Sequence, residues 1–71
     1  MNDIEKQIIA KLKELHFEKD DIIPTMLLIK DNEEYQKKIL EFLNSVNNLT
    51  NEELLDQIEK LGILENNPNI E

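Results

Sequence analysis

The chain contains no cysteine, no tryptophan and no arginine, and it has a single glycine. Without cysteine there is neither a disulfide staple nor a thiolate metal cluster. Without arginine the forked guanidinium contacts that read base edges or clamp phosphates are missing. All eight basic residues are lysines, and sixteen acids outweigh them to give a net charge of −8. Electrostatics therefore oppose approach to a polyanion, and no direct binding to nucleic acid is expected. Long apolar runs are also missing. The longest, Ile22 to Ile29, is broken by Pro24 and Thr25, whereas a membrane-spanning helix needs about 20 apolar residues. The start, Met1-Asn2-Asp3-Ile4-Glu5-Lys6, carries acids where a signal peptide needs positive charge, so the cytoplasm is the expected location and no membrane partner is expected.

Catalytic side chains are equally scarce. One His, one Ser and one Tyr leave no spacing that resembles a nucleophile with its base and orienting partner. Carboxylates are plentiful, but Asp20 with Asp21, Glu33 with Glu34 and Glu52 with Glu53 all sit where helix N-termini attract negative charge. Neither Asp31-Asn32-Glu33 nor Asn51-Glu52-Glu53 is followed by the glycine that a calcium loop requires at its sixth position. The expectation is a non-enzyme with no cofactor, no metal and no catalytic residue.

What the chain does have is isoleucine and leucine at helical spacing, within an apolar fraction of 39%. Seventy-one residues allow one small domain, whose unstapled core supplies only about 3–5 kcal/mol of net stability. Asn2 with Glu5 can cap a first helix over residues 3 to 16, with Ile4, Ile8, Leu12 and Leu15 on one stripe and Ile9 widening it. His16 at its end is placed to meet free carbonyls rather than to act as a base. Asp20 or Asp21 can cap a second helix with Pro24 in its first turn, running to about Lys30. Asp31-Asn32-Glu33-Glu34 opens a third helix carrying Tyr35, Ile39, Phe42, Leu43 and Val46 in one arc. Thr50-Asn51-Glu52-Glu53 is a capping box for a fourth, with Leu54, Leu55, Ile58 and Leu61 apolar. Gly62 is expected in the left-handed conformation that stops this helix, with Ile63 as the apolar partner of the stop. No run alternates in the manner of a strand. The fold class expected is all-α, a single compact bundle of four short helices over residues 1–63, followed by a disordered tail over 64–71. The expected core is Ile8, Leu12, Leu15, Phe17, Met26, Ile39, Phe42, Val46, Leu54, Ile58 and Leu61.

Several stretches resemble known modules. Leu15-His16-Phe17, the capped helix after it, and Asn32-Glu33-Glu34 leading to Ile39-Leu40-Glu41-Phe42-Leu43 are similar in spacing to ubiquitin-associated three-helix domains, over about half the chain, with His16 where that family's first loop has glycine. Leu49-Thr50 through Leu54, Leu61, Gly62 and Ile63 is similar to the closing helix of SAP and LEM-type modules. In size and style the whole chain resembles the short acidic helical proteins of Firmicute mobile elements.

Two features bear on function. The second helix carries Ile22, Ile23, Met26, Leu27, Leu28 and Ile29 all round its axis, so it is either enclosed by its neighbours or shared with a partner. Leu28, Leu40 and Ile9 lie off the main stripes of their helices and are the candidate partner-binding residues. The expected function is protein–protein interaction or self-association through the second and third helices. The alternative is an acidic inhibitor that imitates nucleic acid through Glu52, Asp56 and Glu59, which recur at i, i+4 and i+7 on the polar face of the fourth helix.

Overall fold

Asn2 opens the first helix. Its side chain accepts from the Glu5 amide at 2.7 Å while its own amide donates to the Glu5 carboxylate at 2.9 Å, the reciprocal box that satisfies two orphan groups at once. In a computed structural model that describes residues 2–66, with side chains described through Gly62, helix α1 spans Asp3–Glu14, α2 Lys19–Ile29, α3 Glu33–Asn44 and α4 Asn51–Asn66. No strand occurs among the described residues. The all-α four-helix arrangement expected from the capping pattern is the one observed. Asn32 caps α3 by accepting from the Tyr35 amide at 3.0 Å. Thr50 and Glu53 form the second complete box, at 3.1 and 2.9 Å.

α1 packs most extensively on α3, and α3 on α4, while α2 lies along the edges of α1 and α4. Ile8, Leu12, Ile22, Ile29, Tyr35, Ile39, Leu43, Leu54 and Ile58 form the core. Each buried aliphatic side chain contributes about 1.5–3 kcal/mol of burial free energy. Leu15, Phe17, Met26, Phe42 and Leu61 pack around that core only partly buried, and Val46 is half-buried. The buried arc of α3 is rotated from the expected one. It keeps Tyr35, Ile39 and Leu43, takes in Gln36, draws Leu40 against the core and leaves Phe42 and Val46 at the edge.

Gln36 is buried because every polar group of its amide has a partner. Its nitrogen donates to the Ile29 carbonyl at 3.0 Å and to the Glu5 carboxylate at 3.2 Å, and its oxygen accepts from the Asn2 side chain at 3.1 Å. One side chain on α3 thus ties the last carbonyl of α2 to the N-terminal cap of α1. Thr25, also buried, donates its hydroxyl to the Asp21 carbonyl one turn back at 3.1 Å, which removes the cost of an unpaired group inside the core.

Helix ends differ from expectation in three places. α1 stops at Glu14 rather than 16, in a Schellman arrangement. The Phe17 amide donates to the Leu12 carbonyl and the His16 amide to the Lys13 carbonyl, both at 2.9 Å. His16 occupies the left-handed position at φ 75°, where a Cβ is unfavourable. α2 begins at Lys19 with Glu18 as its cap and no side-chain cap bond, so neither Asp20 nor Asp21 caps it. Pro24 therefore lies inside the helix rather than in its first turn.

α4 does not end at Gly62. No glycine has positive φ, and the helix continues through Asn66, past the expected domain end at 63 and into the expected tail. Residues 67–71 of that tail, and the side chain of Ile63, lie outside the described residues. The glycine serves packing instead. A Cβ at position 62 would lie 2.9 Å from the Tyr35 hydroxyl oxygen and 3.4 Å from the ring carbon that bears it. That hydroxyl donates to the Ile58 carbonyl, so it is not free to retreat. Burial pushes the Tyr35 phenol above its ordinary value, partly offset by a hydrogen bond with the Gly62 backbone. The folded state holds the phenolic proton more tightly than the unfolded chain does, so this contribution to stability is present at neutral pH and is lost as pH rises through the alkaline range.

Two stability predictions follow from these ends. His16→Gly relieves the left-handed strain and should raise stability by about 0.5–1 kcal/mol, a shift of several degrees in melting temperature. An unchanged or lower melting temperature would show that position 16 carries no such strain. Gly62→Ala should destabilise by about 1–2 kcal/mol despite the better helix propensity of alanine. In a Tyr35→Phe background the same change should be neutral or stabilising. Equal effects in the two backgrounds, measured by denaturant unfolding, would rule out the Tyr35–Gly62 contact.

Candidate functional site

α2 is amphipathic only in the sense that one side is buried. Ile22, Thr25 and Ile29 face the core with Met26 half-buried beside them, a spacing of three and four residues that fixes the helix about its axis. Everything between those positions is turned outward. Ile23 is 50% exposed, Leu27 62% and Leu28 58%, and Pro24 is exposed alongside them. The outer side of α2 therefore carries four apolar side chains in six residues and no charge between Asp21 and Lys30. Toward α1 this surface runs into a shallow groove of about 280 Å³ lined by Ile9, Ile22, Ile23, Met26 and Leu27, with Glu5 and Lys30 completing it.

The three residues singled out from the sequence are distributed as follows. Leu28 is on the exposed side of α2. Ile9 is half-buried, packs against the core and lines the α1–α2 groove beside Ile23 and Leu27. Leu40 is half-buried against the core too, but it lines a different groove between α1 and α3, with Gln7, Ala10, Lys11 and Asn44. The exposed apolar side of α2 thus continues onto Ile9 of α1, while Leu40 lies in a separate groove between α1 and α3. Ile23 and Leu27, two of the apolar residues that surround the axis of α2, face outward with Leu28. With Ile22 and Ile29 in the core, positions 23 and 27 point away from it.

The acidic face is exposed as expected at Glu52, Asp56 and Glu59. Its regular row of anions is interrupted, because Lys60 lies 3.1 Å from the Asp56 carboxylate. Glu53 is occupied by the cap. The chemistry-bearing side chains are spread out and largely engaged. The Tyr35 hydroxyl is committed to the Ile58 carbonyl and Ser45 donates to the Phe42 carbonyl at 2.7 Å. His16 shares a small crevice of about 110 Å³ with Asp21 and Asn51, whose amide oxygen is buried without a hydrogen-bond partner. Among the described residues no group of three His, Cys, Asp or Glu side chains is arranged to hold a metal ion, and no helix is long and apolar enough to cross a membrane.

The division of α2 into an inner and an outer side has a direct test. Leu28→Lys should change stability by no more than about 0.5 kcal/mol, whereas Ile29→Ala, one residue on, should cost about 2–5 kcal/mol. Similar losses at both positions in thermal melts would mean that α2 is enclosed. No family model, curated protein or solved structure matches the chain.

Proposed function

We propose that this chain is a cytoplasmic, non-enzymatic interaction module that docks another protein chain on the outer side of α2. The observation that carries the reading is the cluster of exposed Ile23, Leu27 and Leu28 on one helix, in a chain small enough that an adhesive patch of this kind is a large part of its surface. Single exposed leucines are ordinary, whereas contiguous ones are disfavoured by water and gain free energy when covered. Neighbouring Ile9 and Met26 extend the patch into a groove, which offers a docked side chain more than a flat contact.

The imitation of nucleic acid by Glu52, Asp56 and Glu59 draws less support, since the Asp56–Lys60 pair removes the regular spacing on which it depends. The two readings respond oppositely to salt. Binding through α2 should survive high salt because it rests on apolar area, while binding through the acidic face should collapse.

The test is affinity capture from the native cell with the wild-type chain, with a Leu27→Lys/Leu28→Lys double variant, and with Glu52, Asp56 and Glu59 all changed to Gln. The wild type and the glutamine variant should retain the same salt-tolerant partner, and the folded lysine variant should lose it. Retention by the lysine variant, or loss confined to the glutamine variant, would refute the assignment of α2.

A further inference from the structure

The outer side of α2 is bounded at each end by a pair of charges. Lys19 and Asp20 stand at its start, and Lys30 and Asp31 stand just past its end. All four are exposed. Among the described residues none of the four takes part in an ion pair within the chain. The order is lysine then aspartate at both ends. Turned end for end, this segment therefore presents aspartate where the original has lysine, and lysine where it has aspartate.

We propose that the partner seated on α2 is a second copy of this chain, with the two α2 helices antiparallel about a two-fold axis passing level with Thr25. This deepens the reading of α2 as a docking surface and rests on it. In that register Ile23 of one copy lies against Leu27 of the other, and the same contact recurs on the far side of the axis, as an isologous interface requires. Asp20 falls opposite Lys30 of the second copy, and Lys30 opposite its Asp20, giving two opposite-charge contacts related by the axis, with Lys19 and Asp31 adding one charge of each sign near either end. At about 100° of rotation per residue, Lys19, Asp20, Ile23, Leu27 and Lys30 all fall on one side of the helix. A parallel arrangement would instead set lysine against lysine and aspartate against aspartate. It would also align the two helix dipoles, which the antiparallel arrangement opposes favourably.

Net charge is the objection to any self-association, because each copy carries −8. At physiological ionic strength the screening length is about 8 Å. Acids on α4 outside the contact are then largely screened, while the end pairs at contact distance are not. Electrostatic complementarity of this kind selects partner and register more than it adds affinity. The affinity comes from the apolar seam, which is a single helix wide. That is smaller than the roughly 800 Å² per partner of a standard interface, so the dimer is expected to be weak, with a Kd of about 10–100 μM.

The experiment is sedimentation equilibrium on the intact chain and on charge variants at surface positions. The wild-type mass should rise with concentration from 8.4 kDa towards twice that value. Asp20→Lys and Lys30→Asp should each self-associate at least about tenfold more weakly, since each places like charges opposite one another. An equimolar mixture of the two variants should recover wild-type affinity, because the pairs formed between them are again opposite in sign. Leu27→Lys should abolish the dimer. A wild type that stays monomeric to millimolar concentration overturns self-pairing and leaves α2 to a different protein. A dimer unaffected by Leu27→Lys overturns both the pairing and the reading of α2 on which it rests. A dimer lost with Leu27→Lys, but without complementation between the charge variants, overturns the antiparallel register.

Discussion

The buried amide of Gln36 is the constraint on which the arrangement turns. It receives the Asn2 side chain, and it donates to the Glu5 carboxylate and to the final carbonyl of α2 at Ile29. Removing it would leave the buried Ile29 carbonyl without this donor, at a cost of about 1–3 kcal/mol. A domain of this size has only about 3–5 kcal/mol to lose. The same contact sets the orientation of α2. With its last carbonyl held against α3, the Ile22, Thr25 and Ile29 side of the helix is turned inward, and Ile23, Leu27 and Leu28 are left facing water. The polar cluster at the core boundary and the apolar patch at the surface are two results of one fixed rotation.

Helix number and order were legible because caps are local chemistry. Asn2 with Glu5, Asn32, and Thr50 with Glu53 are all used as their spacing implies, and the expected stripes of α1 and α4 supply Ile8, Leu12, Leu54 and Ile58 to the core. The misreadings share one physical origin, which is tertiary contact overriding a local preference. Gly62 has the composition of a helix stop, yet it stays helical because the Tyr35 ring needs the space a Cβ would fill. His16 takes the left-handed turn that usually falls to glycine, since closing the end of α1 also brings Phe17 against the core. Gln36 reads as a surface residue by polarity and is buried because three partners from two other segments satisfy it.

The candidate site was legible only in outline. A second helix apolar all round is either enclosed by its neighbours or shared with a partner, and Leu28 stands out because it lies off that helix's main stripe. Which side faces outward depends on Thr25, a residue whose polarity points outward but whose hydroxyl bonds back to the Asp21 carbonyl and so can be buried. Placing Thr25 inside moves Ile23 and Leu27 outside. Leu40, by contrast, was drawn against the core when the buried arc of α3 rotated to take in Gln36. The acidic character of the chain bears on solubility and on the choice of partner, while the apolar patch is where association free energy is available.

The claim that binds these observations together is our proposal that α2 presents its outer side to a second copy of this chain. The most direct measurement is a dilution series of amide correlation spectra on the isotope-labelled protein. The account predicts concentration-dependent shifts confined to residues 19–31 and to the edge of α1 around Ile9, with α3 and the acidic face of α4 unchanged. Spectra that do not change with concentration, shifts centred on Glu52, Asp56 and Glu59, or shifts spread evenly over the whole chain would contradict it.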